Sequence, residues 1–330
     1  MDIDKEKNVA IDAVIKASRV CKSVQKGMIR DSSMQKKDNS PVTVADFAAQ
    51  ALIINEIRKH FPNDKFVAEE DSKSLRTDEG KIIRHKILDH LKNFIPGITE
   101  NSMFENIDLG NYGGGNNSRF WTLDPIDGTK GFIRRDQYAI ALALIQEGKV
   151  ILGILSCPSL YPFQEKQVNG IGYLFHGVRN RGAFSRPING NKENRIRVSD
   201  IRDTAQATFC ESVESSHSSH GDALKIAGLL GVQNDPIRID SQCKYAVLAR
   251  GEASIYLRMP TSRNYTENIW DHAAGCIMVE EAGGRVTDCY GKELDFSQGS
   301  KLGKNTGIVG TNGHIHDQVL EAVSEVISDR

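Results

Sequence analysis

The sequence predicts a protein of the mixed α+β or α/β class, on three observations. Apolar residues recur at helical spacing from Lys7 to Met28, which indicates a long amphipathic helix near the N-terminus. Two near-continuous apolar runs, 138–145 and 150–155, flank a short segment with a glycine and predict a hairpin of strands covered on both faces. After residue 199, short strand-like runs alternate with helical segments, which is typical of an α/β domain.

The N-terminal part of the chain is expected to carry the first sheet and its helices. The pattern further predicts helices over 45–57 and 82–94 and strands over 65–68, 119–123, 172–177 and 182–184. Residues 72–118 are interpreted as an insertion, either a mobile flap or a passive surface excursion, and its second half is expected to be irregular.

The C-terminal part is expected to form a second domain. The pattern predicts strands over 207–209, 237–239, 255–257 and 306–310 and helices over 270–282 and 319–327. We therefore predict two domains, an α+β domain over 1–199 and an α/β domain over 200–330.

Composition narrows the class of protein. The 330 residues are 39% hydrophobic and 26% charged with a net charge of −1, which gives no basic footprint for nucleic acid or an acidic membrane. Six scattered cysteines without a C-x-x-C pair predict buried reduced thiols. No apolar run approaches the ~18 residues of a membrane span. We expect a cytoplasmic monomer with no nucleic-acid or membrane partner.

The stretch from Trp121 to Gly131 is the strongest candidate for the chemistry. Asp124 and Asp127 fall at the carboxyl end of a predicted strand, which is where α/β sheets bind their ligands. The carbonyl oxygen of Ile126 lies between them in the chain. Two carboxylates and a carbonyl form an all-oxygen ligand set, which Mg²⁺ prefers and zinc does not.

The same stretch also offers an anion site. The amides of Gly128 and Thr129 lie where the strand is expected to turn into a helix start, which suits a phosphate. The alternative for the whole stretch is an Asp-Pro turn followed by an Asp-Gly turn, a common composition for a loop.

Three further acids lie at strand ends or helix starts. Asp46 either completes a capping box with Thr43 or orients a water as a carboxylate at a helix start. Glu69 opens an acidic triplet after a strand, which is either a solvated corner or a source of a bridging metal ligand. Asp271 opens a predicted helix, where an acid is usually only a cap. The recurrence of acids at such positions favours a metal site.

Four ordered motifs resemble those of the inositol monophosphatase superfamily, whose members are Mg²⁺-dependent, lithium-sensitive phosphatases. They are P-V-T-x-A-D ending at Asp46, Glu69-Glu70 after a strand, D-P-I-D-G-T at 124–129 and W-D-H-A-A-G at 270–275. The resemblance spans nearly the whole chain and implies a layered α/β/α/β/α sandwich. Within the superfamily the chain is similar to 3′(2′),5′-bisphosphate nucleotidases, on residues 39–43, 110–113, 120–121, 127–132, 217–220, 240–245 and 256–260.

The resemblance implies a role for each candidate residue. Two or three Mg²⁺ ions would be held by Glu69, Asp124, the carbonyl of Ile126, Asp127 and Asp271. Asp46 and Thr129 would activate the attacking water, and the substrate would contact Gly128, Thr129, His217, Ser241, Lys244 and Arg258. The implied reaction is hydrolysis of the 3′-phosphate of adenosine 3′,5′-bisphosphate to AMP and phosphate, with 3′-phosphosulfate and 2′,5′-bisphosphate nucleotides as further candidate substrates.

Several alternatives stay open at this point. His217 and His220 have the spacing of a zinc pair but no evident third ligand, so the choice is between a polar loop and a nucleotide contact. Lys244 and Arg258 are either cations for a second phosphate or ordinary surface charges. The alternative functions are an inositol polyphosphate 1-phosphatase with the same metal core and a non-catalytic nucleotide- or metal-sensing module.

Overall fold

The computed structural model describes residues 3–27, 33–35, 41–116, 119–162, 172–213, 220–260 and 265–328. The α-helices in these ranges are α1 (Asp4–Gly27), α2 (Val44–Arg58), α3 (Lys81–Leu91), α4 (Glu100–Asp108), α5 (Thr129–Arg134), α6 (His220–Leu229), α7 (Cys243–Ala249), α8 (Ala273–Glu281) and α9 (His316–Ser328). The strands are β1 (Ser33–Gln35), β2 (Pro41–Thr43), β3 (Lys65–Ala68), β4 (Arg119–Asp127), β5 (Ala139–Gln146), β6 (Lys149–Cys157), β7 (Tyr173–Val178), β8 (Gly182–Pro187), β9 (Asn194–Ile196), β10 (Phe209–Glu211), β11 (Ile237–Arg238), β12 (Ile255–Arg258), β13 (Arg285–Thr287) and β14 (Ile308–Thr311).

The larger sheet has the order β3-β4-β5-β6-β7-β8-β9 and is antiparallel except for the β3 and β4 pair. Alternate residues of β5 face opposite sides of this sheet, as the strand period requires. Ile140 and Leu142 pack in the core with α1 and α2, whereas Ala141 and Ala143 pack in the core with α7 and α8. The hairpin predicted from the apolar runs is therefore confirmed, together with the burial of both its faces.

The smaller sheet has the order β11-β10-β12-β14-β13 and mixes parallel and antiparallel pairs. One face of β12 contributes Tyr256 to the core shared with α7 and α8. The other face contributes Ile255 and Leu257 to a third core that contains residues of α6 and α9. The layers are thus helix, sheet, helix, sheet and helix, which confirms the predicted α/β/α/β/α sandwich.

The segment between α2 and β4 contains one helix that the sequence analysis did not expect. α4 begins after Thr99, whose hydroxyl accepts a hydrogen bond of 3.2 Å from the amide of Ser102. Its buried residues Met103 and Ile107 join the core on α2, as do Ile83 and other residues of α3. The apolar set of α4 is too short for periodicity to reveal, and serine replaces the usual Glu or Gln of a capping box. The domain boundary at 199/200 and the insertion over 72–118 stay predictions.

The helix predicted from residue 270 begins later than expected. Residues Ile269–Asp271 form a 3-10 turn, and His272, with φ −135° and ψ −32°, separates this turn from α8. Asp271 therefore lies in the turn before the helix, which is a correction to the expectation that it opens the helix.

All six cysteines are buried free thiols, as predicted. None of the helices in the described ranges combines the length and the apolar character that crossing a bilayer requires.

Candidate active site

The site begins with an irregularity in β4. Asp124 pairs with Ala141 and Asp127 pairs with Ala139, so three steps along β4 oppose two along β5. Successive residues of a regular strand point to opposite faces, and one extra residue therefore lets the two aspartates share a side. Pro125, which has no N–H to donate, lies at this bulge. Because β4 continues through Pro125 to Asp127, the Asp-Pro turn of the alternative is wrong, whereas a turn at Gly128 does follow Asp127.

Asp124, Asp127 and Asp271 come together in space. One carboxylate oxygen from each lies within 4.8 Å of the other two. Asn268 supports the third of them by donating a hydrogen bond of 3.2 Å from Nδ2 to Oδ2 of Asp271. Two of these acids come from the larger sheet and the third from the turn that leads into α8, so the tertiary fold assembles the group.

The electrostatics of this acid cluster favour a cation. Burial raises the pKa of Asp124 well above its ordinary value, and the charges of Glu69, Asp127 and Asp271 raise it further. Burial and the charge of Asp271 raise the pKa of Asp127 to about 6. Oδ1 of Asp124 is buried and has no hydrogen-bond partner among the described residues. An all-oxygen set of carboxylates that repel one another, with one unpaired buried oxygen, fits a hard divalent cation.

Glu69 and Asp46 lie near Asp124. β3 runs parallel to β4, and the amide of Glu69 donates a hydrogen bond of 3.2 Å to the carbonyl of Leu123, next to Asp124. Asp46 is the third residue of α2 and is buried. The charges of Glu69 and Asp46 both raise the pKa of Asp124, which shows that they are near it. The side chain of Thr43 lies outside the described residues, so its predicted capping box stays a prediction.

The acidic corner after β3 is held by a buried glutamine of α2. Nε2 of Gln50 donates to the carbonyl of Glu70 at 2.6 Å, and Oε1 of Gln50 accepts from the amide of Glu70 at 3.1 Å. Glu70 itself is buried. The alternative of a solvated corner is therefore wrong for Glu70.

Gly128 and Thr129 form the expected transition from strand to helix. Gly128 has φ 87° and ψ 46°, and a Cβ there would lie 3.0 Å from Cβ of Ser241. Glycine is required at position 128 for two reasons, the left-handed backbone conformation and the close approach of Ser241. The hydroxyl of Thr129 donates a hydrogen bond of 3.3 Å to the carbonyl of Ile126. This contact joins the residue predicted to activate water to a predicted metal ligand.

The predicted substrate residues after β11 are close to Asp127. Ser241 lies against Gly128 and has φ 66°. Lys244 is 4% exposed, and its Nζ donates to the carbonyl of Ile239 at 3.4 Å. Burial lowers the pKa of Lys244, whereas the charge of Asp127 opposes this shift. A cation buried to this degree is no ordinary surface charge, so that alternative is wrong for Lys244.

Arg258 ends β12 and is held in a polar network. Its Nε donates a hydrogen bond of 2.9 Å to Oε1 of Glu267, and its Nη2 donates to the hydroxyl of Tyr265 at 3.3 Å. Nε2 of His272 lies 3.2 Å from the other oxygen of Glu267. The charge of Arg258 acts on Asp127 and lowers its pKa, against the larger effect of burial. Arg258 is ion-paired and partly buried, so it too is not an isolated surface charge.

Two residues of the site were not predicted from the sequence, and one predicted residue lies outside the described part of the chain. Gln242 donates from its backbone amide to Asp127, and Glu267 holds Arg258. A glutamate four residues before Asp271 was a usable signal, because the motif around Asp271 had already been singled out. Gln242 lies in the stretch 240–245 that carries the resemblance, but a glutamine there does not indicate a contact with Asp127. His217 lies outside the described residues.

Residues 2–328 match the model of the Inositol monophosphatase family, and the chain belongs to that family. The superfamily resemblance drawn from the four motifs is thereby confirmed. Two curated relatives share the name 3′(2′),5′-bisphosphate nucleotidase. The one from Schizosaccharomyces pombe (strain 972 / ATCC 24843) is 42% identical over 99% of this chain and 97% of the relative. The one from Dictyostelium discoideum is 44% identical over 99% of this chain and 98% of the relative.

Solved structures support the fold. The chain superposes on Thermotoga maritima IMPase TM1415 with a TM-score of 0.68 at 25% sequence identity, covering 98% of this chain and 99% of that one. The layered architecture therefore agrees with that of a solved member of the family.

Proposed function

We propose that this chain is a Mg²⁺-dependent phosphatase that hydrolyses the 3′-phosphate of adenosine 3′,5′-bisphosphate to AMP and phosphate. The observation that carries the proposal is the acid cluster, in which oxygens of Asp124, Asp127 and Asp271 lie within 4.8 Å of one another. The charges of Lys244 and Arg258 both lower the pKa of Asp127, so two cations that could bind a second phosphate lie near the acids that could bind a metal ion. The names of the curated relatives support the same reaction.

We assign two or three Mg²⁺ ions to these acids, as the family resemblance implies. The residues assigned to hold them are Asp124, Asp127 and Asp271, whose oxygens lie together, Glu69, whose charge acts on Asp124, and the carbonyl of Ile126, on the resemblance alone. The mutual repulsion of the acids and the unpaired Oδ1 of Asp124 are the observations that support this assignment. Bound Mg²⁺ supplies Lewis-acid stabilisation of the negative charge that develops on the phosphoryl and leaving oxygens.

Asp46 and Thr129 are assigned to the attacking water. The hydroxyl of Thr129 already donates to the carbonyl of Ile126, so its oxygen is left to accept a hydrogen bond from water. Asp46 provides a buried carboxylate near Asp124 to take the proton. The water oxygen forms a bond to phosphorus and the bond from phosphorus to O3′ breaks. The proton taken up by Asp46 is then passed through solvent to O3′, so AMP leaves with a 3′-hydroxyl.

The substrate contacts divide between the two phosphates. The amides of Gly128 and Thr129 are assigned to the 3′-phosphate that reacts, and Lys244 and Arg258 to the 5′-phosphate that does not. Ser241, in contact with Gly128, is assigned to the nucleotide between them. His217 is proposed as a further nucleotide contact on the resemblance alone. We also propose that the protein acts in the cytoplasm as a monomer, since buried free thiols suit a reducing compartment.

The test is phosphate release from adenosine 3′,5′-bisphosphate, inositol 1,4-bisphosphate and AMP, each with Mg²⁺ and with EDTA. Rapid Mg²⁺-dependent release from the first, with AMP left intact, is expected. A preference for the inositol substrate would keep the metal assignment and overturn the nucleotide pocket. No release from any of the three would favour a non-catalytic binding module.

Lithium gives a second test of the metal assignment. Because Li⁺ is also a hard cation that prefers oxygen ligands, we propose that it competes at one of the Mg²⁺ positions, as the family resemblance implies. Activity should fall in millimolar LiCl and recover in part as Mg²⁺ is increased, with KCl at equal ionic strength as the control. Activity unchanged by LiCl would contradict this part of the proposal.

A further inference from the structure

Gln242 contacts the acid cluster from two sides. Its backbone amide donates a hydrogen bond of 2.6 Å to Oδ2 of Asp127. Its side-chain Nε2 donates to the carbonyl of Trp270 at 2.9 Å, and its Oε1 accepts from the amide of Gly275 at 3.1 Å. Asp271 lies between those last two residues in the chain. One residue that is 2% exposed therefore connects Asp127 to both ends of the segment that carries Asp271.

The chain on either side of Gln242 is packed tightly against the same two segments. A Cβ on Gly128 would lie 3.0 Å from Cβ of Ser241, the residue before Gln242. A Cβ on Gly275 would lie 2.2 Å from the ring of Tyr245, three residues after it. Glycine at both contacts lets residues 241–245 fit closely between the strand of Asp127 and the start of α8.

We infer that Gln242 is a positioning residue that fixes Asp127 relative to Asp271 and thereby sets the affinity of the acid cluster for divalent cations. Two carboxylates within 4.8 Å of each other repel when no cation lies between them. This repulsion would push Asp127 and Asp271 apart. The hydrogen bonds of Gln242 oppose that movement, because its backbone amide binds Asp127 and its side-chain carboxamide binds the segment of Asp271, and both groups belong to one residue. The inference rests on the proposed function, since it concerns the residues assigned there to Mg²⁺.

The role is expected to appear in metal affinity, with no direct part for Gln242 in the reaction. Residues that support metal ligands through hydrogen bonds typically change affinity by about 10- to 100-fold when they are replaced. Gln242→Leu removes both side-chain hydrogen bonds at similar volume. Gln242→Glu keeps an acceptor for the amide of Gly275 and sets a carboxylate oxygen against the carbonyl of Trp270.

Asn312 offers a matched control. Its carboxamide is also buried and also bonds to backbone, donating to the carbonyl of Ile201 at 2.8 Å and accepting from the amide of His314 at 3.1 Å. Asn312 follows Thr311, which pairs with Ile255, the first residue of β12. Arg258 is the last residue of that strand, so Asn312 lies at the other end of β12 from Arg258. Asn312→Leu therefore removes at least as many buried hydrogen bonds at a place away from the acid cluster, including one to the hydroxyl of Ser199 and one from the amide of Ile315.

The experiment is calorimetric titration of the whole chain with Mg²⁺ in the wild type, the two Gln242 variants and Asn312→Leu. The expected result is a Kd for Mg²⁺ raised by about 10- to 100-fold in both Gln242 variants and unchanged in the control. The Mg²⁺ concentration for half-maximal activity should rise in parallel, while the KM for nucleotide at saturating Mg²⁺ stays at the wild-type value.

Two results would overturn the inference while leaving the proposed function standing. One is a Kd for Mg²⁺ that is the same in the Gln242 variants as in Asn312→Leu. The other is a rise in nucleotide KM alone, which would show that Gln242 shapes the pocket and not the metal site. If Gln242→Leu does not fold, Gln242→Asn, which keeps the carboxamide but is shorter by one methylene, supplies the same measurement. Wild-type protein that binds no Mg²⁺ would overturn the proposed function and this inference together.

Discussion

Arg258 and Glu267 form a largely buried ion pair, in which Nε of the arginine donates to Oε1 of the glutamate at 2.9 Å. Burial by itself raises the pKa of Glu267, but the hydrogen bond with His272 and the charge of Arg258 outweigh it and lower the pKa to about 2. The carboxylate is therefore ionised at neutral pH. It fixes one edge of the guanidinium and leaves other N–H groups for a phosphate.

This arrangement predicts that Arg258→Lys is not a conservative change. A lysine keeps the charge but has no planar fork with which to bind Glu267 and a phosphate together. The KM for adenosine 3′,5′-bisphosphate should rise by on the order of 10-fold, the loss expected for one charge-assisted hydrogen bond. The KM for 3′-AMP, which has no 5′-phosphate, should change little. Steady-state kinetics on the two substrates provide the measurement.

A control for that comparison is Arg285→Lys, since Arg285 pairs with the exposed Asp317 at 2.9 Å on the surface. This variant should behave as wild type on both substrates. An equal rise in KM for both substrates in Arg258→Lys would contradict the assignment of Arg258 to the 5′-phosphate.

Asp127→Asn is expected to abolish most of the activity. Asparagine preserves the acceptor for the amide of Gln242 but removes a charged ligand from the acid cluster. The turnover rate should fall on the order of 10³-fold or more, because several kcal/mol of transition-state stabilisation are lost. Initial rates of phosphate release at saturating Mg²⁺ measure this, with the surface variant Asp317→Asn as a control. Near-wild-type turnover in Asp127→Asn would remove the central assignment.

The raised pKa of Asp127 predicts an unusual pH dependence of stability in the absence of metal. The folded state holds the proton of Asp127 up to about 6, whereas the unfolded chain releases it near the ordinary value of about 4. Between pH 4 and pH 6 the folded state binds more protons than the unfolded state. The stabilisation from protonated Asp127 is therefore fully present below the unfolded-state pKa of about 4 and is lost as the pH rises through the folded-state pKa of about 6. In EDTA, Asp127→Asn should therefore be more stable than wild type at pH 7, with the difference shrinking toward pH 4.

Urea unfolding of both proteins in EDTA across this pH range measures the difference. Addition of Mg²⁺ at pH 7 should stabilise the wild type more than the variant, since the bound cation replaces the repulsion with attraction. A stability difference that does not vary with pH would show that Asp127 does not titrate in this window.

Gly128→Ala separates backbone strain from the close approach of Ser241. A non-glycine residue in the left-handed region costs roughly 1–2 kcal/mol. Gly97 provides the matched control, because its φ is 74° and no atom lies within 4 Å of a Cβ there. Both alanine variants should lose comparable stability to urea. Only Gly128→Ala should also lower kcat/KM, since the 3.0 Å contact forces Ser241 to move. Equal activity in the two variants would mean that this contact has no functional role.

Several features of the site were predictable from local chain properties. The end of β3 and the start of α5 follow from apolar runs bounded by acids and glycine. These signals put Glu69 after β3, and they put Asp124 and Asp127 at the carboxyl end of β4, which runs on through both aspartates and past its predicted end at residue 123. The hairpin of β5 and β6 followed from strands that are apolar on both faces. In each case the signal lies within a few residues of the element it predicts.

Other features depend on residues far apart in the chain. α4 was missed because its stability comes from packing on α2, and nine residues carry too little periodicity of their own. The burial of Lys244 could not be predicted either, because it depends on the position of α7 between the two sheets.

The sequence alone therefore determined the kind of chemistry: acids at strand ends and helix starts, in the order and spacing of a metal-dependent phosphatase family. Only the tertiary structure decided which oxygens meet. The bulge in β4 lets the side chains of Asp124 and Asp127 point to the same side of the sheet. Packing of α8 against the larger sheet brings Asp271 close to both of them. The contact of Gln242 with Asp127 is of the same kind, since it joins residues 115 positions apart in the chain, and its free energy belongs to a pair that no local pattern records.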